Sequence, residues 1–279
     1  MKKLCMLLLV VVLVCSLAAC TTNQGENGGG DVEGEEELNG ADGINTVVPG
    51  KFTVGFDQNF PPMGFVGDDG QFTGFDLELA AEVAQRLNLE LVLQPIAWDA
   101  KDMELSTRNI DCVWNGFTMN GREDLYTWTE PYMANTQVFV VKGGSGIETL
   151  ADLAGKTVVV QMDSSAEAAL KDRPDLVETF GDYLAAPDYE NALMDLEAGA
   201  VDAVAMDEVV ANYKIGKGGE DLYVLEEQLA AEEYGVGFLL GNEELRDIVQ
   251  STLEEMAADG IMTELSNTWF GKDVTTIGK

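Results

Sequence analysis

The chain has 279 residues, of which 50 are Asp or Glu and 16 are Lys or Arg; the formal net charge is −34, and there is no histidine. That charge argues against a nucleic-acid partner and against docking on anionic lipid. The missing histidine removes Ser-His-Asp and Cys-His nucleophiles, His bases and His metal ligands, so any catalysis would rest on carboxylates, Lys or Tyr. The length is ample for a core in one large domain or two of moderate size.

Lys2 and Lys3 precede an apolar run over residues 4–17, too short for a comfortable membrane span. The run ends in Leu17-Ala18-Ala19-Cys20, which resembles a bacterial lipobox; cleavage before Cys20 would leave a lipidated N-terminus. The other reading is an ordinary signal peptide with an incidental Cys. Residues 1–19 are set apart as signal. Of the four cysteines, only Cys112 then remains unmodified in the chain, flanked by Ile110, Val113 and Trp114, and it reads as a small buried hydrophobe. Residues 20–50, rich in Gly, Glu, Asp and Asn, read as a lipidated Cys followed by a disordered acidic tether.

From Lys51 the pattern changes. Residues 52–56 alternate as a strand, and 75–87 carry a helical apolar stripe with Asp76 available as N-cap. Short strands follow at 91–93 and 110–114. The pattern then restarts: extended at 137–141, a helical turn at 150–153, a strand at 156–160, and helices at 165–171 and 189–198. A strand at 201–205 leads into a helix at 207–215, and two helices close the chain at 243–259 and 261–270. Strands alternating with helices over short connections predict an α/β fold in two units of similar size. Between them, "NGFTMNGR" (residues 115–122) places one Arg after a small hydroxyl-bearing loop. It reads either as an anion clamp or as a turn followed by a solvated Arg.

The motifs "VGFDQNFPPMGF", "DGQFTGFDLELAAEVAQRL", "IDCVWNGFT", "WTEPY", "LADLAGKTVVVQMDSSAE", "LEAGAVDAVAMDEVVANY" and "ADGIMTELSNTWFG" occur in that order behind the lipobox. The set closely resembles the extracellular solute-binding protein family 3, the amino-acid receptors of ABC importers. The resemblance implies a type II periplasmic-binding-protein clamshell: two α/β lobes joined by a two-segment hinge. Residues 51–139 plus 234–279 are expected to form lobe 1 and residues 140–233 lobe 2, with crossings near 137–143 and 231–237.

It also implies a receptor, not an enzyme, with no catalytic residues, cofactor or metal. An α-amino acid would be captured in the cleft and passed to an ABC permease with its ATPase. The protein would be a monomer anchored to the outer face of the cell membrane through Cys20. A dehydratase-like enzyme on the same fold, or a sensor without transport, is the alternative.

The same resemblance assigns the site. Arg122 takes the family position that forks onto the ligand carboxylate, although the spacing from Thr118 is one residue shorter than is common in the family. Thr118 offers its hydroxyl and N–H, and Gly116 offers room and a carbonyl. Ser164 and Ser165 lie at a helix start that suits an anion, or serve as caps. Asp207 pairs with the ligand ammonium, caps its own helix, or does both. Asp57, Phe60, Trp98 and Asn115 match side-chain pocket positions. Asp57 tilts the expectation toward a polar or basic amino acid; its other employment is to organise the loop at 60–62.

Overall fold

The computed structural model describes residues 43–218 and 221–279. The signal segment, Cys20 and most of the tether lie outside the described residues. The end of the expected tether is part of the fold: Thr46 is buried, Ile44 packs on the core, and the Val47 N–H donates to Asp111 at 2.6 Å. The few apolar residues ahead of Gly50 suffice to hold this stretch down.

The chain opens with β1 (Lys51–Phe56), a small three-stranded sheet of β2 (Asn59–Phe60), β3 (Gly64–Val66) and β4 (Phe72–Thr73), and α1 (Phe75–Arg86). Gly74 starts α1 at φ +137°, where a side chain would strike the Met63 carbonyl. Asp76 therefore lies inside the helix, fully buried, and is not its N-cap. β5 (Glu90–Pro95), α2 (Lys101–Ser106), β6 (Cys112–Val113) and β7 (Thr127–Trp128) follow. Cys112 is a free, fully buried thiol, as its apolar flanks predict.

The second unit comprises β8 (Met133–Lys142), β9 (Thr157–Gln161), α3 (Ser165–Lys171), α4 (Pro174–Val177), β10 (Asp182–Ala186) and α5 (Tyr189–Ala198). It continues with β11 (Ala203–Asp207), α6 (Glu208–Gly216), β12 (Leu222–Val224) and β13 (Ala230–Tyr234). β14 (Gly237–Phe238), α7 (Glu243–Asp259) and α8 (Ile261–Phe270) return to the first unit.

Two mixed sheets result, ordered β5-β1-β6-β14-β7 and β10-β9-β11-β8-β12, with β13 also on β8. β5, β1 and β6 are parallel, as are β10, β9 and β11. The chain passes from the first sheet to the second over residues 129–132 and returns over 235–236. The two crossing strands pair with each other, from Met133↔Tyr234 to Gln137↔Ala230, before β8 continues beside β11. One apolar cluster runs from Phe52, Phe75 and Leu79 into Val140, Tyr189 and Val204, so the two sheets share a continuous core. This is the two-lobed α/β clamshell of type II periplasmic binding proteins.

Candidate ligand-binding site

In an open α/β sheet the carboxyl ends of parallel strands leave a crevice into which loops project. Here four such ends converge. Asp57 follows β1 and Asn115 follows β6, while Gln161 ends β9 and Asp207 ends β11.

The first sheet supplies the 115–122 loop. The Asn115 carboxamide oxygen accepts from the Asp57 N–H at 3.0 Å, and its amide nitrogen is buried without a partner. Gly116 sits at φ +55°, and a side chain there would come within 2.9 Å of the Phe60 ring and 3.1 Å of the Tyr234 ring. Its N–H donates to the Asp76 carboxylate at 2.6 Å, which the Tyr132 hydroxyl also reaches at 2.8 Å. Asp76 thus anchors the loop from beneath; burial raises its pKa to about 7, against the pull of these two donors. Thr118 stands opposite Tyr234 in a β-bridge closed by the Met119 N–H on the Glu233 carbonyl at 2.9 Å and the Gly235 N–H on the Phe117 carbonyl at 3.0 Å, and it donates its hydroxyl to Glu232 at 3.0 Å.

Arg122 closes a tight turn, its N–H bonded to the Met119 carbonyl at 2.9 Å. The guanidinium folds back over the Phe117 ring at 5.4 Å and donates to the Thr118 carbonyl at 3.2 Å. Its other terminal nitrogen donates to the Asp163 carbonyl of the second unit at 3.2 Å. The shortened spacing therefore still brings Arg122 to the junction between the sheets.

Asp57 is engaged twice. One oxygen accepts from the Asn59 N–H at 2.8 Å and the other from the Gln161 amide at 2.8 Å. Burial raises its pKa, these donors oppose the rise, and the charge of Asp188 adds to it. Asp57 thus organises the loop that carries Phe60, as well as facing the second unit. Phe60 lies 6.0 Å from the Tyr189 ring. Trp98 stands further out, edge-on to Phe117 at 5.4 Å, with the Lys101 ammonium 5.1 Å from its ring. Lys101 is itself buried and pairs with the Asp163 carboxylate of the second unit; burial pushes its pKa down.

From the second sheet, Ser164 spends its hydroxyl on the α3 cap, accepting from the Glu167 N–H at 3.1 Å. The Ser165 hydroxyl accepts from the Gln137 amide at 2.9 Å. Asp207 makes no side-chain cap bond to α6; the Asn135 oxygen takes the Val209 N–H instead, at 3.3 Å. Its carboxylate is left to face Tyr234, which donates at 2.6 Å, and Gln137, which donates at 2.8 Å. Burial raises the pKa of Asp207 well above the usual range, and the neighbouring Glu232 charge raises it further.

Nine of the expected residues therefore meet at one junction and Trp98 borders it. Gln161, Glu232, Gln137 and Lys101 belong to the same cluster, although no motif in the sequence marks them. A neighbouring cleft of about 470 Å³, lined by Pro62, Asn135, Tyr213, Trp269 and Lys272, adjoins this cluster through Asn135 and contains none of the ten.

Comparison with known proteins accords with this geometry. Residues 52–272 match the model of the bacterial extracellular solute-binding proteins, family 3. The chain is 35% identical over 229 residues to the L-cystine-binding protein TcyJ of Escherichia coli, covering 81% of this chain and 85% of that one. It is 28% identical over 281 residues to the L-cystine-binding protein TcyA of Bacillus subtilis, across 99% of this chain and 100% of the relative. A Streptococcus pneumoniae ABC uptake transporter substrate-binding protein with bound histidine superposes with a TM-score of 0.78 at 34% identity, covering 81% and 94% of the two chains. The chain is a member of the bacterial extracellular solute-binding proteins, family 3.

Proposed function

We propose that the protein is the substrate-binding receptor of an ABC importer, capturing a polar or basic α-amino acid between its lobes and delivering it to a membrane permease. The observation that carries this reading is the placement of Arg122 and Asp207 at one junction. A zwitterion needs a fixed cation and a fixed carboxylate there, because buried charge without a partner is unfavourable. Arg122 would take the ligand carboxylate with the Thr118 and Ser165 groups, and Asp207 the ammonium. Phe60, Asn115, Asp57 and Trp98 would shape the side-chain pocket. The expected lobes, 51–139 plus 234–279 and 140–233, would move against each other by bending along the paired crossing strands, whose residues 133–139 and 230–234 lie on the second sheet.

L-Cystine is the first ligand to test. Two relatives are named for it, and a doubled zwitterion suits a junction with two cations, Arg122 and Lys101, and separate carboxylates at Asp57 and Asp207. We further propose export, with Cys20 lipidated and the acidic stretch that follows it as a spacer from the membrane, and a monomeric receptor that serves permease and ATPase subunits. The names of the curated relatives favour this over an enzyme on the same fold. A thermal-shift screen of the mature chain against L-cystine and the proteinogenic amino acids tests the reading. A true ligand at a hundred times its Kd should stabilise the protein by about 2.7 kcal/mol. No shift with any of them would refute it.

A further inference from the structure

Glu232 lies in a strand of alternating burial, Ala230–Tyr234, in which it points inward and Glu233 outward. It is 5% exposed and Asp207 is 3% exposed. The Gln137 amide nitrogen stands 2.8 Å from an oxygen of each, and the Asn135 amide nitrogen 3.0 Å from Asp207 and 2.6 Å from Glu232. Two carboxylates sharing the same two amides lie side by side. The second Glu232 oxygen accepts from Thr118, across the junction.

Every donor to this pair is neutral. The surrounding titratable groups are the Tyr234 hydroxyl on Asp207, the Tyr189 hydroxyl on α5, the half-buried Glu208 on α6 and the exposed Glu233. Asp76 and Tyr132 lie beneath Gly116. The cations are engaged elsewhere, Arg122 on the Thr118 and Asp163 carbonyls and Lys101 on Asp163. Neither Asp207 nor Glu232 forms an ion pair among the described residues. Two adjacent buried carboxylates cannot both ionise without a cation between or beside them.

We infer that Glu232 is the second carboxylate of an ammonium subsite, that the Asp207–Glu232 pair holds one proton in the free protein, and that an arriving ligand ammonium displaces that proton to solvent. This rests on the receptor reading and deepens it. The step balances: the protonated pair and the R–NH₃⁺ ligand give the ionised pair bound to R–NH₃⁺, plus one H⁺. Glu232 would then select for a cationic head group over neutral solutes of the same shape. It would also tie capture to pH, since protons compete with ligand more strongly as pH falls.

Two measurements test this. In the ligand-free mature chain, NMR of ¹³C-labelled Asp and Glu carboxyls should show a carboxyl of the Asp207–Glu232 pair titrating above the ordinary range; Glu232→Gln should move that titration to lower pH. Isothermal titration with L-cystine, and with L-arginine as a second probe, in phosphate and in bis-Tris, should show proton release on binding, up to about one per ligand where the free pair is protonated. Kd should weaken about tenfold per pH unit where the pair is protonated. In Glu232→Gln the release should shift to lower pH, and Kd at pH 8 should weaken about tenfold.

Binding without proton release, or a free protein whose pair titrates in the ordinary range, overturns the inference and leaves the receptor reading standing. If neither probe nor any other amino acid binds, the receptor reading falls and takes the ammonium subsite with it. The wild-type titrations decide the matter even if Glu232→Gln does not fold.

Discussion

Gln161 and Asp57 meet across the junction of the two sheets: the amide nitrogen at the end of β9 donates to a carboxylate oxygen just after β1, at 2.8 Å. Both groups are buried, and the same amide also reaches the Pro187 carbonyl at 3.3 Å. A hydrogen bond to a buried carboxylate contributes roughly 1.5–3 kcal/mol, and here it forms only when the lobes are together. Gln161→Ala should therefore favour the open form and weaken ligand affinity about ten- to hundredfold, with the fold intact by circular dichroism. Titration calorimetry checks this; an affinity equal to wild type would show that the contact does not couple to closure.

Asp76 sets a pH dependence that is independent of ligand. Its pKa of about 7 in the fold stands above the ordinary 3.8, so the folded chain holds a proton that the unfolded chain gives up. The stability it contributes is complete below about pH 4 and is lost as pH rises to about 7, on the order of 4 kcal/mol in all. Asp76→Asn keeps an oxygen for the Gly116 N–H and removes the titration. Urea unfolding at several pH values should show a stability decline between pH 4 and 7 in wild type that is shallower in Asp76→Asn, the part that remains coming from the other raised carboxyls, Asp57 and Asp207.

Gly116 combines a left-handed backbone with close ring neighbours. Gly116→Ala should destabilise by about 1–3 kcal/mol, through strain at φ +55° and contact with Phe60 and Tyr234. Ligand affinity should fall as well, because the same loop carries Thr118 and Arg122. Thermal melts with and without ligand separate the two effects; a melting temperature within a degree of wild type would contradict the packing seen around this residue.

The regular elements were legible because their apolar periodicity is strong. The helices at 165–171, 189–198 and 243–259 fall where the pattern places them. Shorter pieces escaped, such as β14, two residues long and defined by its neighbours β6 and β7 more than by its own sequence. Asp76 reads as a cap in sequence because an acid in a first helical turn usually serves locally; its partner in the fold, the Gly116 N–H, is forty residues away. Lys101 carried no signal either, since one cation in an acidic chain ordinarily faces solvent. Glu232 was hidden in a run that reads as solvated acid, although the alternation through Ala230-Ala231-Glu232-Glu233-Tyr234 would have turned it inward. In sequence, Gln161 is marked only by its place at the carboxyl end of a parallel strand, just ahead of Ser164 and Ser165.

The most direct test of the receptor account is calorimetric titration of the mature wild-type chain, Arg122→Lys and Arg122→Ala with the ligand that the thermal-shift screen identifies. Lys keeps the charge but cannot present two nitrogens in one plane, so affinity should fall about ten- to hundredfold. Ala should reduce it by at least about a hundredfold, beyond the loss of a single charge-assisted hydrogen bond. Binding by Arg122→Ala with wild-type affinity would contradict the assignment of Arg122 to the ligand carboxylate, and with it the zwitterion clamp.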